Sequence, residues 1–137
     1  MRRESTRFRV RYPEIDRMGV AHHSCFLVWF ELGRTEWLRA SGLSYRALEQ
    51  EHAVLFPVLE ASLSIGAPAR YDEELEVETA ATRLDRLRVR FEYRIVRSVD
   101  GRELAHGHTM HVAADAEGRP RRLPGDLYER LKTWSHG

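Results

Sequence analysis

The chain has 137 residues, of which 42% are hydrophobic and 31% are charged, values typical of a folded globular protein rather than a fibrous or disordered one. Its 22 basic and 21 acidic residues leave a formal charge of +1, whereas a dedicated nucleic-acid binder usually carries a large basic excess. We therefore predict one domain over residues 1–137 and no nucleic-acid partner.

The expected location is cytoplasmic. Cys25 is the only cysteine, so no disulfide can form within the chain, which fits a reducing compartment. The charged N-terminal residues 1–7 lead into no apolar run, unlike a secretory signal. The longest mainly apolar stretch, 21–38, is interrupted by charged residues and histidines, so no membrane span is expected.

The first half of the chain combines a strand with two helices. Alternating apolar and arginine residues predict a half-buried strand at 6–12, and Pro13 and Gly19 bracket a loop. Apolar residues recur at helical spacing over 23–40, and the stripe is so wide that we expect this helix to be buried on all sides. A short second helix is predicted at 44–52.

The second half predicts strands at 55–65, 74–82, 87–96 and 103–113, and a C-terminal helix at 125–134. The strands 74–82 and 87–96 suggest a hairpin with a three-residue loop at 83–85, which would place Glu78 opposite Arg90 and Glu76 opposite Glu92. One apolar helix followed by several antiparallel strands favours an α+β fold, with an antiparallel sheet wrapped around one long central helix.

The most unusual segment is 12–23, where Asp16 lies in a glycine-containing loop just before the long helix. A helix N-terminus presents free backbone N–H groups and the positive end of the helix dipole, which suit a developing oxyanion. Asp16 could therefore act beside a polarised carbonyl group. The alternative is that Glu14 or Asp16 only caps the loop or the helix.

A family resemblance supports the catalytic interpretation. The pattern Tyr12-x-Glu14-x-Asp16-x-x-Gly19-x-x-x-His23-x-x-Phe26, followed by Trp29-Phe30-Glu31-x-x-Arg34-x-Glu36, resembles the signature of the hotdog-fold acyl-CoA thioesterases. The 4-hydroxybenzoyl-CoA thioesterase type is the most similar branch. The likeness continues through Phe56-Pro57-Val58, residues 68–73 and Gly118-Arg119-Pro120. It implies a hotdog fold, hydrolysis of an acyl-CoA thioester, and a homodimer or homotetramer with strands pairing across subunits.

The resemblance also implies roles for individual residues. Asp16 corresponds to the catalytic carboxylate, acting as nucleophile or general base, and the backbone N–H of His23 corresponds to the oxyanion donor. Gly19, Val20 and Phe26 are candidate substrate-binding residues, although the family commonly has tyrosine where Phe26 stands. No metal or cofactor is expected, because a thioester is already electrophilic and coenzyme A is part of the substrate.

Arginine clusters beside two turns, 86–90 and 119–122, are candidates for holding the phosphates of coenzyme A, since a guanidinium matches phosphate geometry. We single out Arg86, Arg88 and Arg122. Arginine makes up 21 of the 22 basic residues, however, so such clusters also arise by chance.

Weaker constellations have less specific interpretations. Cys25 beside two histidines could be a nucleophile, but a structural cysteine is the commoner case. His106 and His108 share a strand face, yet a metal would need further ligands. Glu31 could be a second carboxylate or an ordinary helix-surface residue.

Two rival functions remain open at this point. One is a hotdog dehydratase or hydratase. Such an enzyme typically has a His-Phe-Pro element ahead of the long helix, whereas here the only Phe-Pro, Phe56-Pro57, follows that helix. The other is a binding module that takes acyl-CoA without turnover.

Overall fold

Five antiparallel strands form a single sheet with three helices against it. The computed structural model describes residues 1–137. The strands are β1 (Arg3–Arg9), β2 (Val58–Ile65), β3 (Glu74–Leu84), β4 (Arg88–Arg97) and β5 (Glu103–Val112), in the spatial order β1-β3-β4-β5-β2. The helices are α1 (Ser24–Ala40), α2 (Tyr45–His52) and α3 (Gly125–His136). None of them combines the length and the apolar character needed to cross a membrane.

Helix α1 lies across one face of the sheet through the apolar stripe that the sequence predicts. The Phe30 ring stacks on Tyr93 of β4 with 4.4 Å between ring centroids, and Trp37 meets Phe91 edge-on at 5.3 Å. Gly33 permits this close approach, because a Cβ there would overlap Thr79 Oγ1 and lie 2.9 Å from a Val77 methyl group. The helix is thus held close against β3, with its aromatic rings reaching β4.

The expectation that α1 is buried on all sides is wrong for a single chain. Leu27 and Val28 keep 39% and 55% of their surface exposed, because α1 packs mainly on β1 and β3 and leaves its opposite side open. Strand β2 is also exposed along its length apart from the half-buried Leu63, and it pairs only with β5. Val28 faces the β1 side, where it lines a groove with Phe8, whereas β2 is the edge strand at the opposite side of the sheet.

Most element boundaries differ from the predictions by one to three residues; strand β1, for example, begins at Arg3 rather than at residue 6. Strand β1 ends at Arg9 rather than residue 12, because Pro13 favours a single 3-10 turn over Tyr12–Glu14 that leaves Tyr12 79% exposed. Strand β2 begins at Val58, since Leu55 makes only an isolated bridge to Ala114. Helix α3 extends two residues beyond its predicted end, to His136.

The predicted register of the β3–β4 hairpin is also wrong, although its parity is correct. Odd residues face odd residues, as in Val77 opposite Ile95, but Glu78 lies opposite Arg94 and the two side chains form an ion pair at 3.0 Å. The turn comes later than predicted because Asp85 Oδ1 accepts the N–H groups of Leu87 and Arg88. This register also avoids the unfavourable Glu76–Glu92 pair.

A buried polar chain crosses the inner face of β4 and β5. The Tyr93 hydroxyl contacts Thr109 Oγ1, which lies 2.8 Å from His111 Nε2, while His111 Nδ1 lies 3.0 Å from the Phe56 carbonyl oxygen. Burial lowers the pKa of His111 to about 4, and the nearby Arg34 charge acts in the same direction. His111 is therefore a neutral structural residue at pH 7.

Candidate active site

The loop between β1 and α1 is a small hairpin with Asp16 at its turn. Ile15 forms an isolated antiparallel bridge with Ala21, and the Asp16 N–H donates to the Val20 carbonyl oxygen at 2.8 Å. Gly19 donates back to the Asp16 carbonyl oxygen at 3.0 Å and has a φ of +80°, a conformation that favours glycine. Ala21 is anchored to Ala69 by a backbone hydrogen bond, so the hairpin is fixed at its base.

The carboxylate of Asp16 uses only one of its oxygens within the chain. Its Oδ1 accepts the Met18 N–H at 2.8 Å, and its Oδ2 makes no hydrogen bond or ion pair. A second turn of the same construction begins at Asp115, where Oδ1 accepts the Glu117 N–H at 3.0 Å. There, however, Oδ2 lies 3.6 Å from Arg119 Nε. Both aspartates are half-buried, so Asp16 differs from Asp115 in having one carboxylate oxygen free.

The start of α1 offers one free backbone donor, at His23. The His22 N–H donates to the Glu14 carbonyl oxygen. The N–H groups of Cys25 and Phe26 donate to the carbonyl oxygens of His22 and His23. The Ser24 N–H donates to His22 Nδ1 at 3.2 Å. The His23 N–H has no partner in the chain, and it lies at the positive end of a 17-residue helix, where an oxyanion would be stabilised.

Glu14 is a site residue that sequence reasoning undervalued. Its side chain is buried, with only 8% of the residue exposed. Oε1 accepts the Arg11 N–H at 2.7 Å and Oε2 accepts the Trp29 indole N–H at 3.0 Å. A glutamate in a polar loop carries no sequence signal of burial. Trp29 lies on α1 beside the apolar stripe that packs on the sheet, and this position is the only sequence feature that points to the contact.

Cys25 is half-buried, and it has the features of a structural thiol rather than a nucleophile. Its Sγ lies 3.7 Å from the Glu14 carbonyl oxygen. Burial, followed by the charge of Glu14, raises the pKa of the Cys25 thiol, so the protonated form dominates at neutral pH.

The remaining loop candidates are placed differently from one another. Gly19 is exposed at the tip of the hairpin, and Val20 is half-buried beside it. Phe26 is 1% exposed and packs edge-on against Trp29, so within one chain its ring belongs to the hydrophobic core. Its role in substrate binding stays a prediction, as do the roles of Gly19 and Val20.

The three candidate phosphate-binding arginines do lie together. Arg86, Arg88 and Arg122 line one open cleft of about 510 Å³, together with Tyr128 and with Arg83 and Asp85, which form an ion pair at 3.3 Å. Arg86 donates twice to the Leu123 carbonyl oxygen, at 3.0 and 2.6 Å, and therefore also holds the C-terminal segment in place. The side chains of Arg88 and Arg122 have no hydrogen-bond or ion-pair partner in the chain and remain free for an anion.

This arginine cleft and the Asp16 hairpin lie at opposite ends of the sheet. Strand β3 starts beside the hairpin, since Val10 donates to the Glu73 carbonyl oxygen, and it ends at the arginine cleft. Its 11 residues span roughly 30 Å at the usual rise of a strand. One chain therefore does not bring Asp16 and these arginines together.

The weaker candidates contribute no second site. His106 and His108 each meet a carboxylate, Glu103 at 3.4 Å and Glu60 at 2.7 Å. No group of three or more His, Cys, Asp or Glu side chains has an arrangement that could hold a metal ion. Glu31 is exposed on the helix surface and lies 4.0 Å from Arg34.

Comparison with known proteins identifies the family. Residues 10–131 match the thioesterase-like superfamily. The Escherichia coli O157:H7 protein named acyl-CoA thioester hydrolase YbgC is 33% identical over 125 residues, which cover 90% of this chain and 92% of that protein. The crystal structure of hypothetical protein TT1821 from Thermus thermophilus is 39% identical, with a TM-score of 0.89 over 97% of this chain and 98% of that one.

The fold is confirmed at greater distance. A 4-hydroxybenzoyl-CoA thioesterase crystallised with 4-hydroxybenzoyl-CoA is only 19% identical, but it superposes with a TM-score of 0.85 over 95% of this chain and 99% of that one. The predicted α+β hotdog architecture and the predicted family are thus both correct. The chain belongs to the thioesterase-like superfamily.

Proposed function

We propose that this protein hydrolyses an acyl-CoA thioester to a carboxylic acid and free coenzyme A, with Asp16 as its catalytic carboxylate. The observation that carries the proposal is that one short segment holds both a free carboxylate oxygen, on Asp16 in the hairpin, and an unpartnered N–H, on His23 at the start of α1. Membership of the superfamily and the name of the YbgC relative support the same reaction.

The chemistry needs few groups. The His23 N–H donates to the thioester carbonyl oxygen and stabilises the negative charge that develops there. Asp16 then either attacks the carbonyl carbon, forming a mixed anhydride that water hydrolyses, or removes a proton from an attacking water. Both routes expel coenzyme A as a thiolate, a good leaving group. Neither requires a metal or resident cofactor.

A thiol-release assay on a panel of acyl-CoA thioesters tests this function and also defines the acyl specificity. Release of free thiol from at least one thioester, with a matching amount of carboxylic acid, is expected. A dehydratase or hydratase would instead change the acyl chain without releasing thiol. A binding module would retain acyl-CoA unchanged, and either result would contradict the proposal.

The arginine cleft is the proposed site for the phosphates of coenzyme A. Its free cations, Arg88 and Arg122, are exposed and can each offer bidentate donors to a phosphate. Arg86 contributes charge, although its guanidinium also holds Leu123. Because this cleft lies far from Asp16 of the same chain, the proposal requires a second subunit to bring the two regions together.

We expect the double variant Arg88→Ala/Arg122→Ala to raise KM for acyl-CoA about tenfold while kcat changes little, because phosphate contacts bind substrate and transition state alike. Steady-state kinetics at fixed, low salt measures this effect. The matched control is Arg46→Ala/Arg102→Ala, which removes the same charge at exposed side chains without contacts. Equal KM values for both double variants would place the phosphates elsewhere.

The proposed assembly is a homodimer in which the β2 strands of two copies pair and continue the sheet. Strand β2 has an unpaired edge, which is a ready template for another strand. Leu59 and Ile65 of β2 keep 57% and 44% of their surface exposed, and Leu27 of α1 keeps 39%. The partner subunit would cover these apolar residues. A homotetramer of two such dimers is the further possibility that the resemblance raises.

Ala61→Glu is expected to dissociate this dimer and abolish most thioesterase activity. Ala61 is exposed on β2, where it is paired with Thr109 of β5, so a single copy should tolerate the glutamate. In the proposed dimer, the two glutamates would place like charges near the twofold axis. Analytical ultracentrifugation measures the mass, with Val99→Glu, at an 87% exposed turn residue, as the control. A wild-type monomer, or an active dimeric Ala61→Glu variant, would exclude this interface.

A cytoplasmic location and a single catalytic domain remain part of the proposal. They agree with the lone cysteine and with a hydrophobic core of 25 residues that joins the sheet to all three helices.

A further inference from the structure

Glu14 connects three parts of the fold that meet at the Asp16 hairpin. Through its side chain it accepts the Arg11 N–H, where the chain leaves β1, and the Trp29 indole N–H, in the second turn of α1. Through its carbonyl oxygen it accepts the His22 N–H at 2.9 Å, just before the helix. Glu14 is also the only acidic residue among the buried residues.

These contacts involve close sequence neighbours of Asp16 and His23, the two residues proposed to act in catalysis. Asp16 follows Glu14 by two residues, and His23 follows the bonded His22 by one. The Ile15–Ala21 bridge continues the same short ladder toward the turn. A rotation of the hairpin that moved Asp16 relative to the His23 N–H would therefore also strain the hydrogen bond between Glu14 and Trp29.

Burial of the carboxylate is costly, and the structure offers a reason for it. An apolar side chain would fill the same space beside Phe8 and Trp29 without removing a charge from water. A carboxylate, in contrast, accepts from two fixed N–H donors in different elements, and the Arg11 guanidinium lies 3.4 Å away to offset its charge. Its contribution is thus an oriented connection rather than packing.

We propose that Glu14, through its hydrogen bond to Trp29, is a positioning residue that holds Asp16 and the His23 N–H in register for thioester hydrolysis. This inference rests on the function proposed above. It predicts that loss of the Glu14–Trp29 hydrogen bond lowers the rate of the chemical step while leaving substrate binding nearly intact, since misplaced catalytic groups lose rate rather than affinity.

Trp29→Phe removes the indole N–H and keeps an aromatic ring against Phe8 and Phe26. We expect kcat to fall about tenfold and KM to change less than threefold. The matched control is Trp37→Phe, since Trp37 is equally buried and its indole N–H donates to the Arg2 carbonyl oxygen at 3.3 Å, far from the hairpin. The control should lose stability but keep the kcat of wild type.

Glu14→Gln supplies an independent variant of similar shape. Its amide has one oxygen for two N–H donors, so one donor faces an N–H₂ group, and a similar loss of kcat is expected. The combined Glu14→Gln/Trp29→Phe variant removes that donor–donor conflict. Because both changes disrupt the same hydrogen bond, its kcat should be close to that of either single variant, not the roughly hundredfold lower value of independent effects.

Hydrogen exchange tests the anchoring without any reaction. The His22 amide should exchange faster in Trp29→Phe than in Trp37→Phe, while amides in the middle of β4 exchange alike. If Asp16→Asn inactivates the protein but Trp29→Phe and Glu14→Gln each keep the kcat of wild type, the positioning role alone is overturned. Full activity of Asp16→Asn would instead overturn the proposed function, and the exchange data would then decide whether Glu14 anchors the hairpin at all.

Discussion

Asp16→Asn is expected to lower kcat for acyl-CoA hydrolysis at least 100-fold, the loss typical of a missing general base or nucleophile. The amide keeps an oxygen for the Met18 N–H, so the turn should persist. What disappears is the negative charge on the oxygen that has no partner in the chain. Steady-state thiol release at saturating substrate measures the change, and KM should vary by only a few-fold.

The second aspartate turn provides the control for this experiment. Asp115→Asn makes the same substitution in a turn with the same backbone hydrogen bonds, Asp115 N–H to Arg119 and Gly118 N–H to Asp115. This variant should retain the kcat of wild type. Comparable losses in both variants would mean that the effect reflects turn geometry, and full activity of Asp16→Asn would remove Asp16 from the mechanism.

Gly107→Ala is expected to destabilise the protein by about 3 kcal/mol or more, at the upper end for overpacking. A Cβ at this position of β5 would overlap the Ser62 carbonyl oxygen of β2 and lie 2.8 Å from Phe30 Cε2 of α1. One of these contacts involves backbone, so β2 or α1 must shift. Urea unfolding measures the free energy, and displacement of β2 should also weaken the proposed dimer.

Gly66→Ala serves as the comparison, because it adds the same methyl group where the nearest atom, the Leu104 carbonyl oxygen, is 3.9 Å away. Its free energy of unfolding should remain within about 0.5 kcal/mol of wild type, as for a substitution without steric conflict. Equal effects at the two positions would show that the close contact at Gly107 is relieved without cost.

Local patterns predicted most of the fold because they report on burial directly. The spacing of Phe26, Phe30, Gly33 and Trp37 placed α1 and its inner face correctly, and alternation placed β3, β4 and β5 within two residues. The predicted register of the β3–β4 hairpin was wrong because pairing odd-numbered with odd-numbered residues still allows several registers. The choice among them was made by Asp85, whose side chain caps the turn.

The candidate site was only partly accessible to the same reasoning. Asp16 and the helix N-terminus are adjacent in sequence, so their association follows from a loop of a few residues. The burial of Glu14 against Trp29 depends on how the hairpin folds back over α1, which no periodicity encodes. Likewise, the distance between Asp16 and Arg88 depends on the direction of β3 through the sheet.

The amino-acid sequence by itself determined the fold class and the family, and it supplied Asp16 as the candidate catalytic residue, since these depend on local periodicity and on a contiguous motif. Only the tertiary structure decided which groups are free to react. It left one Asp16 oxygen and the His23 N–H unpartnered, and it engaged Glu14, Cys25 and Arg86 in structural contacts. It also left α1 and β2 open on one side, because a single sheet of five strands covers only one face of a helix that is apolar on most of its surface.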